Sequence, residues 1–284
     1  MANKVAIVTD STPYLPQEFI DKYPIGVAPA VVIWGEEELR DNVDITSDEF
    51  YTRLAASKVS PTTSQPSPAA CQEVIGKFLD EGYDVLCMPI SEKLSGTIAS
   101  MKQAMSMFPD ANVELVDSMS TSMETGWQIR TVGEAVLQGA TLAEAKALAE
   151  EVRDYTGIVF MVDTLEYLHR GGRIGGAQRF LGTALQTKPI NEVRDGMIEP
   201  LERARTTKKA QARLVEIVAE RIGDKSPVYV AVLHANIEED AKAMLAAISE
   251  RVNPVQTAIT GLSPAVGTHT GPGTIGLCYM AGYK

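Results

Sequence analysis

Asp84-Val85-Leu86-Cys87-Met88-Pro89-Ile90-Ser91-Glu92-Lys93-Leu94-Ser95-Gly96-Thr97 is the stretch on which the fold turns. A strand-like run over 84–90, unbroken apolar from Val85 on, gives way to a hydroxyl-rich loop, and apolar residues then recur at helical spacing over 96–107. A strand apolar on both faces must be covered on both faces, which is the condition of a parallel sheet flanked by helices. The pattern repeats outward in both directions. Residues 5–9, 25–33, 113–116 and 158–162 read as strands, and residues 47–57, 67–79, 123–137 and 142–152 read as helices. Ser47 ahead of Asp48 and Glu49 is expected to cap one helix, and Thr141 with Glu144 forms a capping box at another.

Beyond residue 157 the rhythm changes. Asp195-Gly196 marks a hairpin, helices are expected over 206–222 and 238–251, and strands over 228–233, 255–259 and 275–280. A hairpin among helices implies a mixed sheet. The expected architecture is an α/β protein with an N-terminal parallel-sheet α/β/α domain (1–156) and a C-terminal α+β domain with a mixed sheet (157–284). A length of 284 residues favours two domains.

Composition excludes several function classes. Hydrophobic residues make up 45% and charged residues 22%, an ordinary globular mix, and the formal charge of −11 repels phosphate backbones and anionic lipid, so nucleic acid is not an expected partner and membrane contact is at most transient. No run approaches the roughly eighteen apolar residues of a membrane span. The first residues lack the pattern of a signal peptide, and a cytoplasmic protein is expected. Cys71, Cys87 and Cys278 are scattered, odd in number and outside metal-ligand spacing, and read as buried thiols. His169, His234 and His269 do not complement them, so no metal is expected.

Ligands in open parallel sheets bind beyond the strand ends, and the loops there are unusual. Four are rich in hydroxyls: 9–12, 60–67, 91–97 and 117–122. Each hydroxyl has two readings, a helix cap or a donor to an anion held at a helix N-terminus. Gly271, Gly273 and Gly276 spell GxGxxG, but only eight residues follow, too few for a dinucleotide fold. Those glycines instead turn the backbone tightly and present His269. Arg170 and Arg173 among the glycines of 171–176 are either an anion grip or a helix end. Arg203, Arg205, Lys208 and Lys209 add local positive charge. No nucleophile elbow and no P-loop occurs, and no catalytic residue is assigned.

Thr9-Asp10-Ser11-Thr12, Pro61-Thr62-Thr63-Ser64-Gln65-Pro66, Leu94-Ser95-Gly96-Thr97, the segment 167–175, Arg205-Thr206-Thr207-Lys208-Lys209-Ala210 and His269-Thr270-Gly271-Pro272-Gly273 together resemble the ordered motifs of the DegV family. The resemblance implies a bacterial fatty-acid-binding protein that is not itself an enzyme and needs no cofactor. It would be the lipid-presenting subunit of fatty acid kinase. A separate ATP-binding kinase subunit would phosphorylate the bound carboxylate, and the acyl-phosphate would feed phospholipid synthesis. By the same resemblance Thr62 and Ser95 bond the carboxylate, and Thr63, Gly96, Thr97, His269, Thr270 and Gly271 line its site with neutral donors. Arg170, Arg173, Arg203 and Arg205 would lie toward the kinase. Glu92, Lys93 and Ile98 depart from the family pattern and bear on pocket shape. The alternatives are a stand-alone enzyme acting on a small anion, with Asp117 or His269 as base, and a sensor of another anionic metabolite.

Overall fold

The computed structural model describes residues 4–180 and 187–284. In chain order it forms β1 (Val5–Asp10), α1 (Gln17–Lys22), β2 (Ile25–Ala28), β3 (Val31–Trp34), β4 (Glu37–Arg40), α2 (Ser47–Ala56), β5 (Thr62–Ser64), α3 (Pro68–Asp80), β6 (Asp84–Cys87), α4 (Thr97–Met105), β7 (Val113–Leu115), α5 (Ser122–Leu137) and α6 (Leu142–Glu151). There follow β8 (Thr156–Met161), α7 (Glu166–Arg170), β9 (Lys188–Arg194), β10 (Met197–Ala204), α8 (Thr207–Ile222), β11 (Val228–His234), α9 (Glu238–Val252), β12 (Gln256–Gly261), α10 (Pro264–Thr270) and β13 (Ile275–Ala281).

The first sheet is parallel throughout, in the order β2-β1-β6-β7. All six residues of β1 are buried, and alternate side chains serve different layers: Val5 and Ile7 enter a central apolar cluster, Val8 an outer one beneath α3 and α4. The second sheet is mixed, in the order β10-β9-β8-β13-β11-β12, with β11 and β12 parallel and the other pairs antiparallel. Helices α8 and α9 cover its far face, and α5 lies between the sheets, touching β1 on one side and β8, β11 and β13 on the other. The central cluster therefore unites Ile7 and Leu86 of the first sheet, Trp127 of α5, and Ile158 and Cys278 of the second. The α/β architecture, parallel sheet first and mixed sheet second, is the one expected.

Three local expectations are corrected. Residues 25–33 are not one strand: Pro29 cannot donate to a ladder, the chain leaves the first sheet after Ala28, and β3 joins a separate antiparallel sheet in the order β4-β3-β5. The loop 60–67 contributes β5 to that sheet. Thr46, not Ser47, caps α2, because the capping box needs its hydroxyl three residues before Glu49; Ser47 Oγ instead donates to Leu262 O at 3.0 Å. The expected hairpin is present, with φ of 52° at Asp195 and 78° at Gly196, the left-handed pair of a tight turn. All three cysteines are buried and free. Among the described residues no helix is long and apolar enough to cross a membrane.

Candidate functional site: a cavity with one polar end

The residues that follow the strands of the first sheet, Ala30 after β2, Thr12 after β1, Ile90 after β6 and Thr121 beyond β7, form one wall of a cavity. The opposite wall is the apolar face of the second sheet, with Ile158, Phe160, Val193 and Leu233. The empty volume of the cavity is about 810 Å³, part of it open to solvent.

Five polar side chains gather at one end, four half-buried and one, Thr97, buried. Ser95 Oγ and Thr97 Oγ1 are 2.9 Å apart in the turn that starts α4. Thr63 Oγ1 lies 2.7 Å from His269 Nε2, joining β5 to the last turn of α10. Arg173 lines the same cavity, with Nε donating to Leu94 O at 3.0 Å and Nη1 to Gly171 O at 2.6 Å, which holds the guanidinium beside Ser95. Burial first, and then the Arg173 charge, push the His269 imidazole down to about 4. At neutral pH His269 is an uncharged hydrogen-bonding group, and Arg173 supplies the positive charge. This end can hold an anion through one hydroxyl pair, one hydroxyl–imidazole pair and one cation.

Thr63, Ser95, Thr97, His269 and Thr270 are thus brought together along the cavity. Thr62 is not: it is exposed and outside the lining, because side chains alternate along β5 and Thr63 takes the inward position. Gly96 and Gly271 are outside the lining. A Cβ on Gly96 would fall 3.0 Å from Gln65 Nε2, and Gly271, at φ 80°, turns the chain under the Tyr167 ring, whose Cε2 a Cβ would meet at 2.7 Å. Arg173, expected toward a partner, lines the cavity, so its polar end is not built of neutral donors alone. Arg170 is exposed, donates to Ser60 Oγ at 2.5 Å and stacks on Tyr167. Arg203 and Arg205 are exposed on β10 and just beyond it, Arg203 over the Phe180 ring. Asp117 braces its loop by accepting from Met119 N and Glu92 N and is outside the lining.

Several hydroxyls of these loops are cross-braces. Asp10 accepts from Thr12 N and Thr12 Oγ1 and from Ile90 N, tying the β1 and β6 loops together. Asp41, which sequence reasoning missed, accepts from Ser11 Oγ at 2.7 Å and from Ser263 Oγ at 2.8 Å, the latter being the cap of α10. It therefore joins one cavity wall to the helix bearing His269. Burial raises its carboxyl to about 7 against those two hydrogen bonds. One acid in the polar run 40–44 carries no spacing signal that marks it.

The DegV family model, described as "Uncharacterised protein, DegV family", matches residues 4–282. A DegV domain-containing protein of Halalkalibacterium halodurans is 36% identical over 277 residues, covering 97% of this chain and 98% of its own. Protein DegV of Bacillus subtilis is 34% identical over 280 residues, covering 97% and 98%. Among solved structures, a fatty-acid-binding DegV family protein from Thermus thermophilus is similar with a TM-score of 0.91 at 33% identity, over 98% of this chain and 99% of that one. A stearic-acid-binding protein from Eubacterium ventriosum is similar with a TM-score of 0.92 at 27% identity, over 98% and 99%. A match along nearly the whole length makes this chain a member of the DegV family.

Proposed function

We propose that the chain binds a long-chain fatty acid in this cavity, carboxylate at the Ser95, Thr63, His269 and Arg173 end, and presents it to a separate ATP-binding kinase subunit. The observation that carries the reading is the segregation of chemistry within one cavity. Hydroxyls, a neutral imidazole and one guanidinium sit at a half-exposed end, and the opposite wall is aliphatic and aromatic. Structural relatives described as fatty-acid-binding support it.

The energetics are of the right size. About 0.8 kcal/mol per buried methylene gives roughly 12 kcal/mol for about fifteen methylenes before ordering costs, and hydrogen bonds to a charged group contribute about 1.5 to 3 kcal/mol each. The tail supplies affinity, and the head group supplies orientation. A carboxylate at the half-exposed end is within reach of a second protein, while the tail stays covered.

Transfer to an ionised carboxylate needs no base: its oxygen attacks the γ-phosphorus of ATP, and ADP leaves. An imidazole held near 4 is a poor base at neutral pH, which disfavours the stand-alone enzyme. In this reading the chain is a cytoplasmic carrier with fatty acid as its ligand and no cofactor, and the acyl-phosphate passes to phospholipid synthesis. Exposed Arg170, Arg203 and Arg205 belong to the face that meets the kinase. The division into carrier and kinase is tested by incubating the purified chain with fatty acid and ATP, with and without the kinase subunit. Acyl-phosphate formed only in the mixture is expected, and ATP turnover by the chain alone would overturn the carrier role.

A further inference from the structure

Hydroxyl caps in this chain work as caps: Thr46, Ser67, Thr141, Thr206 and Ser263 each accept from a backbone N–H in the first turn of the helix that follows. Thr121 does not. It occupies the N-cap position of the 16-residue α5, yet its side chain makes no capping bond. Its hydroxyl and that of Ser122 are both buried without a hydrogen-bond partner, although Ser118 and Ser120 in the same loop are paired. Thr121 and Ser122 are 8% and 4% exposed, and both line the cavity. An unpaired buried hydroxyl is costly, and two side by side facing ligand space call for an acceptor.

We infer that Thr121 and Ser122 form a second polar point in the cavity, fitted to a neutral oxygen on the acyl chain, so that hydroxy- or oxo-substituted long-chain fatty acids belong to the ligand range. The inference rests on the fatty-acid reading above and concerns two residues outside the Ser95, Thr63, His269 and Arg173 cluster. A second carboxylate is the wrong partner. Glu124 sits in the first turn of the same helix, buried and bonded to Ser120 Oγ; burial already raises its carboxyl to about 7, and an anion beside it would add to the cost of ionising it. A hydroxyl or ketone oxygen carries no charge and accepts from both side chains.

The test uses the delipidated full chain, octadecanoic acid, and a positional series of monohydroxy- and oxo-octadecanoic acids, with affinities read by displacement of a fluorescent fatty acid. In a wholly apolar tunnel an added hydroxyl weakens binding by about fivefold to more than a hundredfold. Here at least one positional isomer is expected to bind as tightly as the unsubstituted acid or more tightly. The Thr121→Val, Ser122→Ala double variant should lose tenfold or more for that isomer relative to octadecanoic acid. Because Thr121 makes no cap bond and both hydroxyls are unpaired, the thermal midpoint of the ligand-free double variant should not fall, and Thr121→Ser, which keeps a hydroxyl, should retain the preference. Weakening of every substituted acid by tenfold or more on the unaltered chain overturns the inference and leaves the fatty-acid reading intact, as does an equal loss for both ligands in the variant. If neither plain nor substituted acids bind, both readings fall.

Discussion

Gly171→Ala tests the carboxylate end through a residue that need not touch the ligand. Gly171 ends α7 at φ −74° and ψ −8°, a conformation that alanine adopts without strain. The added Cβ would fall on His269 Nδ1, with Cε1 at 2.9 Å and Cγ at 3.1 Å, so the imidazole must move by about 1 Å or more. The 2.7 Å contact between Thr63 Oγ1 and His269 Nε2 does not survive a shift of that size along its own direction. Losing one properly aimed hydrogen bond to a carboxylate costs about 1.5 to 3 kcal/mol, which corresponds to roughly 10- to 150-fold weaker binding. Fatty acid affinity of the folded variant is measured by displacement titration, and the imidazole environment by NMR. Gly172→Ala is the control: at φ 71° with open space around the Cβ it strains the backbone, lowers stability by about 1 kcal/mol and leaves binding alone. A Gly171→Ala protein with a displaced His269 that binds within twofold of the parent would refute the assignment of His269 to the head-group site.

Replacing Ser95 by Ala removes one hydroxyl of the pair with Thr97 and is expected to weaken fatty acid retention about tenfold, read by mass spectrometry of the purified variant. Arg173→Met takes the cation from the lining; affinity should fall about tenfold or more, its salt dependence should shrink, and the His269 titration should move upward toward 6.5, since Arg173 helps to hold it down. The two buried titrations act on stability with opposite sign. His269, depressed to about 4, costs stability as pH falls below its unfolded value near 6.5, because the unfolded chain then binds the proton first. Asp41, raised to about 7, costs stability as pH rises from its unfolded value near 3.8, so Asp41→Asn should raise the thermal midpoint more at pH 8 than at pH 5.

What could be read from sequence was what periodicity and turn chemistry encode. The run Val5 to Thr9 is apolar enough to be buried on both faces and announces a central parallel strand; Asp195-Gly196 announces its hairpin with equal clarity. The β4-β3-β5 sheet was invisible for a physical reason. Glu37–Arg40 is polar and mostly exposed, Thr62–Ser64 is three residues long, and each becomes a strand only because β3 offers an edge to pair with. That missed sheet decides the site, since its alternation turns Thr63 inward and Thr62 outward. Arg173 was legible as a residue of interest, but its direction is set by the carbonyls of Leu94 and Gly171, which lie 79 and two residues away along the chain. Asp41 connects to Ser263 across 222 residues, a pairing that no local pattern foreshadows.

The most direct measurement is organic extraction and mass spectrometry of the purified chain, followed by titration of the delipidated protein with a long-chain fatty acid. The account predicts one fatty acid per chain, and a rise in thermal midpoint on rebinding that corresponds to about 2.7 kcal/mol at a hundred times the dissociation constant. A chain that yields no lipid and neither binds nor is stabilised by added fatty acid would contradict it.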